Sequence, residues 1–219
     1  MDSTHLTIRE HIPCGRDAYI LKLERPDWTW RAGQLVGLCG ENALDQRDYT
    51  IASGERDETL DVIYRLIPHG VVTPHLRTLR PGDSIPVQGP YGRFVVRNPE
   101  RPLLFCATGT GIAPCRAYLR TFPSLSLTLL HGVRHPEDLY FQEEFVDCAY
   151  HPFCSREPQD GLTGRLTDAL PGLRISPETQ VYLCGANEMI YEAEDILTAR
   201  GIKNSDIFHE PYYYRAYDA

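Results

Sequence analysis

With 22 Lys and Arg against 30 Asp and Glu in 219 residues, the chain carries a net charge of −8, which argues against nucleic acid as a partner because phosphate backbones select basic faces. Seven cysteines, an odd number without a CxxC pair or a CxxxxCxxC spacing, argue against a disulfide framework, a zinc site or a plant-type iron–sulfur cluster, so no metal is expected. No apolar run approaches the ~20 residues of a membrane span, and the opening MDSTHLTIREH has no charged-then-apolar leader, so a soluble cytoplasmic protein is expected.

The first half reads as all-β. Runs rich in β-formers at Leu6–Ile12, Ala18–Leu23, Gln34–Leu38, Tyr49–Ala52, Leu60–Leu66 and Ser84–Gln88 are separated by Gly, Pro, Asp and Asn turns, a spacing that predicts a small antiparallel barrel or sandwich. One helix is predicted among them, from about Thr73 to Leu79, with Thr73 as its N-cap, Pro74 in its first turn and Leu76 and Leu79 three apart. The grammar changes at the proline-bounded stretch Asn98–Pro102, which divides the chain into expected domains 1–99 and 100–219. Charge divides there too: 12 basic residues face 13 acidic ones before the boundary, and 10 face 17 after it. Beyond it strands and helices alternate. Leu103–Ala107 precedes a helix to about Thr121, Leu125–Leu130 precedes one from about Pro136 to Asp147, and Val181–Cys184 precedes one from about Glu188 to Arg200, with Ile207–His209 as a last strand. This order predicts a parallel sheet with helices on its faces and ligands at the carboxyl ends of its strands.

The pattern centres on Leu103–Arg120, LLFCATGTGIAPCRAYLR, where an apolar run meets a glycine turn and then a helix. Gly109 and Gly111 let the backbone turn sharply and approach a ligand, and the N–H groups of the following helix start point outward to a phosphate. Alone, the turn is equally consistent with a strand–helix junction that binds nothing. Two further runs offer complementary chemistry. In Arg47-Asp48-Tyr49-Thr50 a guanidinium can clamp phosphate, a phenol ring can stack on a flat heterocycle, and a hydroxyl can bond a ring nitrogen. Gly70-Val71-Val72-Thr73 supplies a second helix start able to hold a pyrophosphate. Each has an ordinary reading as a solvated charge, sheet filler or plain cap. His131 and His135, four apart, straddle an expected loop and do not suggest a metal.

Taken in order, RDYT, GVVT, GPYGRF at Gly89–Phe94, ATGTGIAP, CSRE at Cys154–Glu157 and YLCGANEM at Tyr182–Met189 resemble the ferredoxin–NADP reductase family, from about Ala32 to the C-terminus. The resemblance implies an FAD-binding antiparallel β-barrel followed by an NADP(H)-binding α/β domain. It places Arg47 on the FAD pyrophosphate, Tyr49 against the isoalloxazine and Thr50 near its N5, with Gly70, Val72 and Thr73 on the phosphates. Gly109, Thr110 and Gly111 would receive the NADP pyrophosphate, Cys184 and Gly185 would line the nicotinamide pocket, and Glu210 of FHEPYY would be a carboxylate near the flavin edge. Among Tyr212, Tyr213, Tyr214 and Tyr217, a terminal aromatic would cover the flavin. Ser155 and Arg156, joined by Arg165 of GLTGRLTD, would read the extra phosphate of NADPH, where an Asp or Glu would instead bond a bare ribose. The ordinary reading of Arg156 is a surface pair with Glu157 or Asp160.

The implied activity is an FAD-dependent oxidoreductase that takes a hydride from NADPH and releases electrons singly to a separate carrier, ferredoxin or flavodoxin, since the sequence has no iron–sulfur module. The alternative is a dedicated electron-transfer subunit of an oxygenase or another multicomponent redox complex. An acidic reductase docks an acidic ferredoxin poorly unless its arginines cluster, and Arg65, Arg77, Arg80, Arg93 and Arg97 are the candidates.

Overall fold

The computed structural model describes residues 3–42, 44–156 and 163–212. By internal contacts the chain divides into two units, one holding residues up to Val96 together with Ala113–Pro123, the other Arg97–Ile112 and the described residues from Ser124 onward.

In the first unit, β1 (Thr4–Cys14), β2 (Ala18–Glu24), β3 (Leu35–Cys39), β4 (Gln46–Thr50), β5 (Thr59–Arg65) and β6 (Ser84–Tyr91) form one antiparallel sheet in the order β4-β3-β6-β1-β2-β5. Every run read as a strand is represented. Just past β4, Ile51 pairs with Val62 of β5 and the Ala52 N–H donates to the Asp61 carbonyl at 2.7 Å, so the two edges meet and the sheet closes as a barrel. Leu6, Ile8, Leu21, Leu23, Val36, Leu38, Leu60 and Val62 fill it. Helix α1 (Thr73–Thr78) adds Leu76 to that core, with Val72 before it and Leu79 after it. The N-cap differs from expectation: it is Val72, without a side-chain cap, because the Thr73 hydroxyl accepts from the Ile67 N–H at 2.8 Å and lies 3.2 Å from the Ile67 carbonyl.

Strand β5 is buried along almost its whole length, which a barrel strand with a solvated outer face would not be. Its second cover is helix α2 (Ala113–Thr121), which follows the glycine turn in sequence yet groups with the barrel. The buried Arg116 guanidinium donates to Asp61 Oδ2 at 3.0 Å and to the Ala52 carbonyl at 3.1 Å, the buried Tyr118 hydroxyl donates to the Phe94 carbonyl at 2.5 Å, and Arg120 pairs with Asp57 at 2.6 Å.

The second unit is a five-stranded parallel sheet of β7 (Leu103–Thr108), β8 (Leu127–Val133), β9 (Ala149–Cys154), β10 (Gln180–Gly185) and β11 (Ile207–Pro211), ordered β11-β10-β7-β8-β9. Leu104, Cys106, Leu130, Val181 and Leu183 point to one face, where α3 (Leu166–Ala169) brings Leu166 and α4 (Asn187–Ala199) brings Met189, Ile190, Ala193 and Leu197. On the other face Phe105, Tyr182 and Phe208 form an aromatic row, with ring centroids 6.4 and 5.0 Å apart. At the proline-bounded stretch, the buried Gln180 side chain exchanges hydrogen bonds with Asn98 at 2.6 and 3.0 Å.

Two expectations fail here. The helix expected over about Pro136–Asp147 does not form; the segment makes short 3₁₀ turns at Pro136–Asp138 and Gln142–Glu144 instead. Leu139, Tyr140 and Phe141 are all buried, which no single helix face permits, and Phe141 takes a left-handed φ of 59° that ends helical propagation. Strand β9, AYHPFC, was not anticipated because Pro152 lies inside it; as the edge of the sheet it needs to pair on one side only.

Candidate nucleotide and flavin sites

On the barrel, β4 carries the RDYT run, and alternation puts Arg47 and Tyr49 on one face and Asp48 on the other. The half-buried Tyr49 ring meets buried Tyr64 edge-on, with centroids 6.4 Å apart, so one side of it is supported by the core. Burial raises its phenol above the ordinary tyrosine range and keeps it neutral. Among the described residues, exposed Arg47 donates a local bond to the Gln46 carbonyl, at 2.8 Å. Behind them, Tyr91 of the GPYGRF run donates to Asp48 and lies 3.3 Å from the Gln46 amide, a crossing that Gly37 permits: a Cβ there would lie 2.1 Å from Gln46 Nε2. Thr50 is buried.

Arg47 pairs with Leu38, and two residues beyond it on the same strand line Gly40 packs against the Val71 carbonyl, which a Cβ at Gly40 would approach to 2.4 Å. The guanidinium and the start of α1 therefore lie at the same end of the barrel. A guanidinium, a supported aromatic face and a helix start with outward N–H groups can together hold a diphosphate and a flat heterocycle. The Thr73 hydroxyl is occupied by Ile67, so that residue's remaining contribution is its backbone N–H.

In the second unit the chain runs outward in both directions from the centre of the sheet, β7 to β8 on one side and to β10 on the other. The crevice between β7 and β10 is the switch point at which open parallel sheets bind ligands. There β10 ends in Gly185, and β7 is followed directly by Gly109. A Cβ on Gly111 would lie 2.5 Å from the Cys184 carbonyl, and one on Gly185 (φ +127°) would lie 2.2 Å from Thr108 Oγ1. The Thr108 hydroxyl also accepts from the Ala186 N–H at 2.8 Å. Gly109, with φ +53°, has nothing within 4 Å of the position its Cβ would take. The two loops are thus locked to each other while Gly109 faces open space, the arrangement a nucleotide diphosphate requires.

Two family models match the chain: an oxidoreductase FAD-binding domain over residues 4–96 and an oxidoreductase NAD-binding domain over residues 105–195. The chain belongs to the ferredoxin–NADP reductase family. It is 27% identical over 220 residues to the ferredoxin–NADP reductase of Pseudomonas aeruginosa, covering 85% of each chain. It is 29% identical over 197 residues to the toluate 1,2-dioxygenase electron transfer component of Pseudomonas putida, covering 82% of this chain and 58% of that one. A solved ferredoxin NADP+ reductase from Neisseria gonorrhoeae, at 22% identity, shares the fold with a TM-score of 0.85 over 97% of this chain and 100% of its own. The chain spans less than two thirds of the length of the first curated relatives it matches.

With the family in hand, the remaining motif residues can be located. Cys154 at the end of β9 forms an isolated parallel bridge with Thr163, and the Gly164 N–H donates to the Cys154 carbonyl at 3.2 Å, so the segments Ser155–Arg156 and Gly164–Arg165 start from adjacent positions. The bridge thereby brings the two motifs together. Ser155 Oγ donates to the Val133 carbonyl at 3.2 Å, and Arg165 pairs with Glu192 across 3.7 Å, both groups well exposed and the pair correspondingly weak. Sequence reading missed Arg134: the Arg156 N–H donates to its carbonyl at 3.2 Å, and its exposed side chain belongs to the same strand ends. Only a β8 end placed at Val133, rather than at the expected Leu130, would have pointed to it. Glu157 and Asp160, the surface partners considered for Arg156, lie outside the described residues, as do Tyr213, Tyr214 and Tyr217.

Cys184 and Glu210 are register partners on β10 and β11, with the Cys184 side chain fully buried, and the Tyr212 N–H donates to the Gly185 carbonyl at 2.8 Å. Among the arginines considered for partner docking, Arg80 donates to the Arg77 carbonyl at 3.4 Å, which links those two. Arg65 alternates to the opposite face of β5 from buried Tyr64, and Arg97 belongs to the other unit, stacked 5.3 Å over Phe208.

Proposed function

We propose that this chain is an FAD-dependent reductase exchanging electrons between NADPH and a separate one-electron carrier such as ferredoxin or flavodoxin. Residues 1–99 would hold FAD and residues 100–219 would hold NADP(H). Arg47 and the start of α1 (Gly70, Val72, Thr73) serve the FAD diphosphate, and Tyr49 and Thr50 serve its ring. Gly109, Thr110, Gly111 and Gly185 receive the nucleotide, with Tyr212 beside Gly185. Cys184, Glu210 and Thr50 are assigned to the reacting ends. FAD, when bound, supplies the conversion between a two-electron donor and a one-electron acceptor; the residues of the chain bind, orient and exclude water.

The observation that supports the nucleotide choice is the bridge at Cys154, from which the segments carrying Ser155–Arg156 and Arg165 start beside each other, with the Arg156 N–H bonded to the Arg134 carbonyl. Guanidinium groups match a phosphate dianion and gain nothing from a bare ribose. Anaerobic stopped-flow reduction of the flavin by NADPH and, separately, by NADH tests this. NADPH should be the faster donor, and Arg156→Ala should cut that preference by roughly ten- to a hundredfold, the worth of one charge-assisted contact. Equal rates from both nucleotides would reject the NADPH assignment. The similarity to the toluate 1,2-dioxygenase electron transfer component supports a second reading, a component dedicated to one oxygenase. That reading predicts reduction of a single cognate acceptor and of no free ferredoxin.

A further inference from the structure

His131 is fully buried at the C-terminal part of β8, directly under the glycine loop. Its Nε2 lies 3.1 Å from the Gly109 carbonyl and its Nδ1 3.3 Å from the Tyr150 hydroxyl on neighbouring β9. A carbonyl only accepts, so Nε2 must carry the proton; the neutral ring then accepts at Nδ1, and Tyr150 donates. The peptide joining Gly109 to Thr110 is planar and trans, which sets its C=O and N–H in opposite directions. With the carbonyl held inward by the imidazole, the Thr110 N–H is turned outward, on the side where Gly109 leaves open space.

We propose that His131, oriented by Tyr150, is a positioning residue for nucleotide binding: it holds the Gly109–Thr110 peptide in the one orientation that offers an N–H, not a carbonyl oxygen, to the nucleotide diphosphate. Gly109, with φ at +53° and no Cβ, opens the short 3₁₀ turn Gly109–Ile112, and a rotated Gly109–Thr110 peptide would aim a partial negative charge at the phosphate. The inference rests on the nucleotide-site reading above.

The test is equilibrium binding of NADP+ to the FAD-loaded chain by titration calorimetry, together with steady-state kinetics. His131→Phe should raise Kd roughly tenfold by losing the carbonyl anchor, with KM rising alongside it and the FAD spectrum unaltered. His131→Gln, whose amide N–H replaces Nε2–H, should restore most of the affinity. Tyr150→Phe, which leaves the ring in place but removes its orienting donor, should raise Kd by a smaller factor. Unchanged Kd in both His131→Phe and Tyr150→Phe would overturn the proposal, as would equal weakening in the Phe and Gln variants of His131. If His131→Phe does not fold, the Tyr150→Phe and His131→Gln pair decides alone. Failure of the unaltered chain to bind NADP+ would instead overturn the nucleotide-site reading.

Discussion

At Gly185 the absence of a single carbon holds the loop after β10 against Thr108. Ala there would put Cβ 2.2 Å from Thr108 Oγ1 at a φ of +127°, so Gly185→Ala should cost about 1–3 kcal/mol of stability through overpacking and weaken nucleotide binding as well. Gly109→Ala meets no neighbour, and only its left-handed φ is penalised, by about 1–2 kcal/mol. It should therefore lower nucleotide affinity with the smaller loss in Tm, a contrast that paired thermal melts and binding titrations would read. His131 gives a pH signature at the same scale. Desolvation lowers its pKa from 6.5 to about 4, so the native state favours the neutral ring more strongly than the unfolded chain does. Its contribution is complete above pH 6.5 and is lost as pH falls toward 4, by about 3 kcal/mol in total. Urea midpoints should accordingly fall more steeply with acidification in the unaltered chain than in His131→Gln.

Among elements, α2 departs most from its apparent place in the chain. Its position after a glycine turn reads as the covering helix of a nucleotide-binding sheet, yet Arg116, Tyr118 and Arg120 fasten it to the barrel. The buried guanidinium of this helix finds its carboxylate 55 residues earlier, on β5. Breaking that pair strands a charge: Asp61→Asn should destabilise the protein by about 3–5 kcal/mol in chemical denaturation, whereas Arg116→Met with Asp61→Leu should recover most of the loss. Runs of β-formers bounded by Gly, Pro, Asp and Asn turns made the six barrel strands legible. The segment at 136–147 departs from the expected helix because three consecutive side chains, Leu139, Tyr140 and Phe141, are needed inside the fold.

For the molecule as a whole, charge governs encounter with a partner. The net charge is −8, and within the barrel unit Arg65 leaves β5 on the face opposite Tyr64, whereas Arg77 lies over the ring of Tyr19, which stacks on Tyr64. Electron transfer to an acidic carrier should therefore accelerate as salt is raised from about 10 mM to about 0.3 M, while transfer to a basic carrier should slow, because screening removes repulsion in one case and attraction in the other. Second-order rate constants across that range would distinguish them.

Sequence alone determined what is local. The β-forming runs, the turns between them, the glycine turn after β7 and the ordered motifs follow from residue type and spacing, which are enough to specify local dihedral preference. The tertiary structure decided what depends on contacts between distant residues: the closure of the barrel at Ile51 and Val62, the adjacency of Ser155 and Arg156 to Arg165 through Cys154 and Thr163, and the carbonyl of Gly109 resting on His131. None of these pairings leaves a periodic trace in the chain, because each is selected by packing and by the need of buried polar groups for partners.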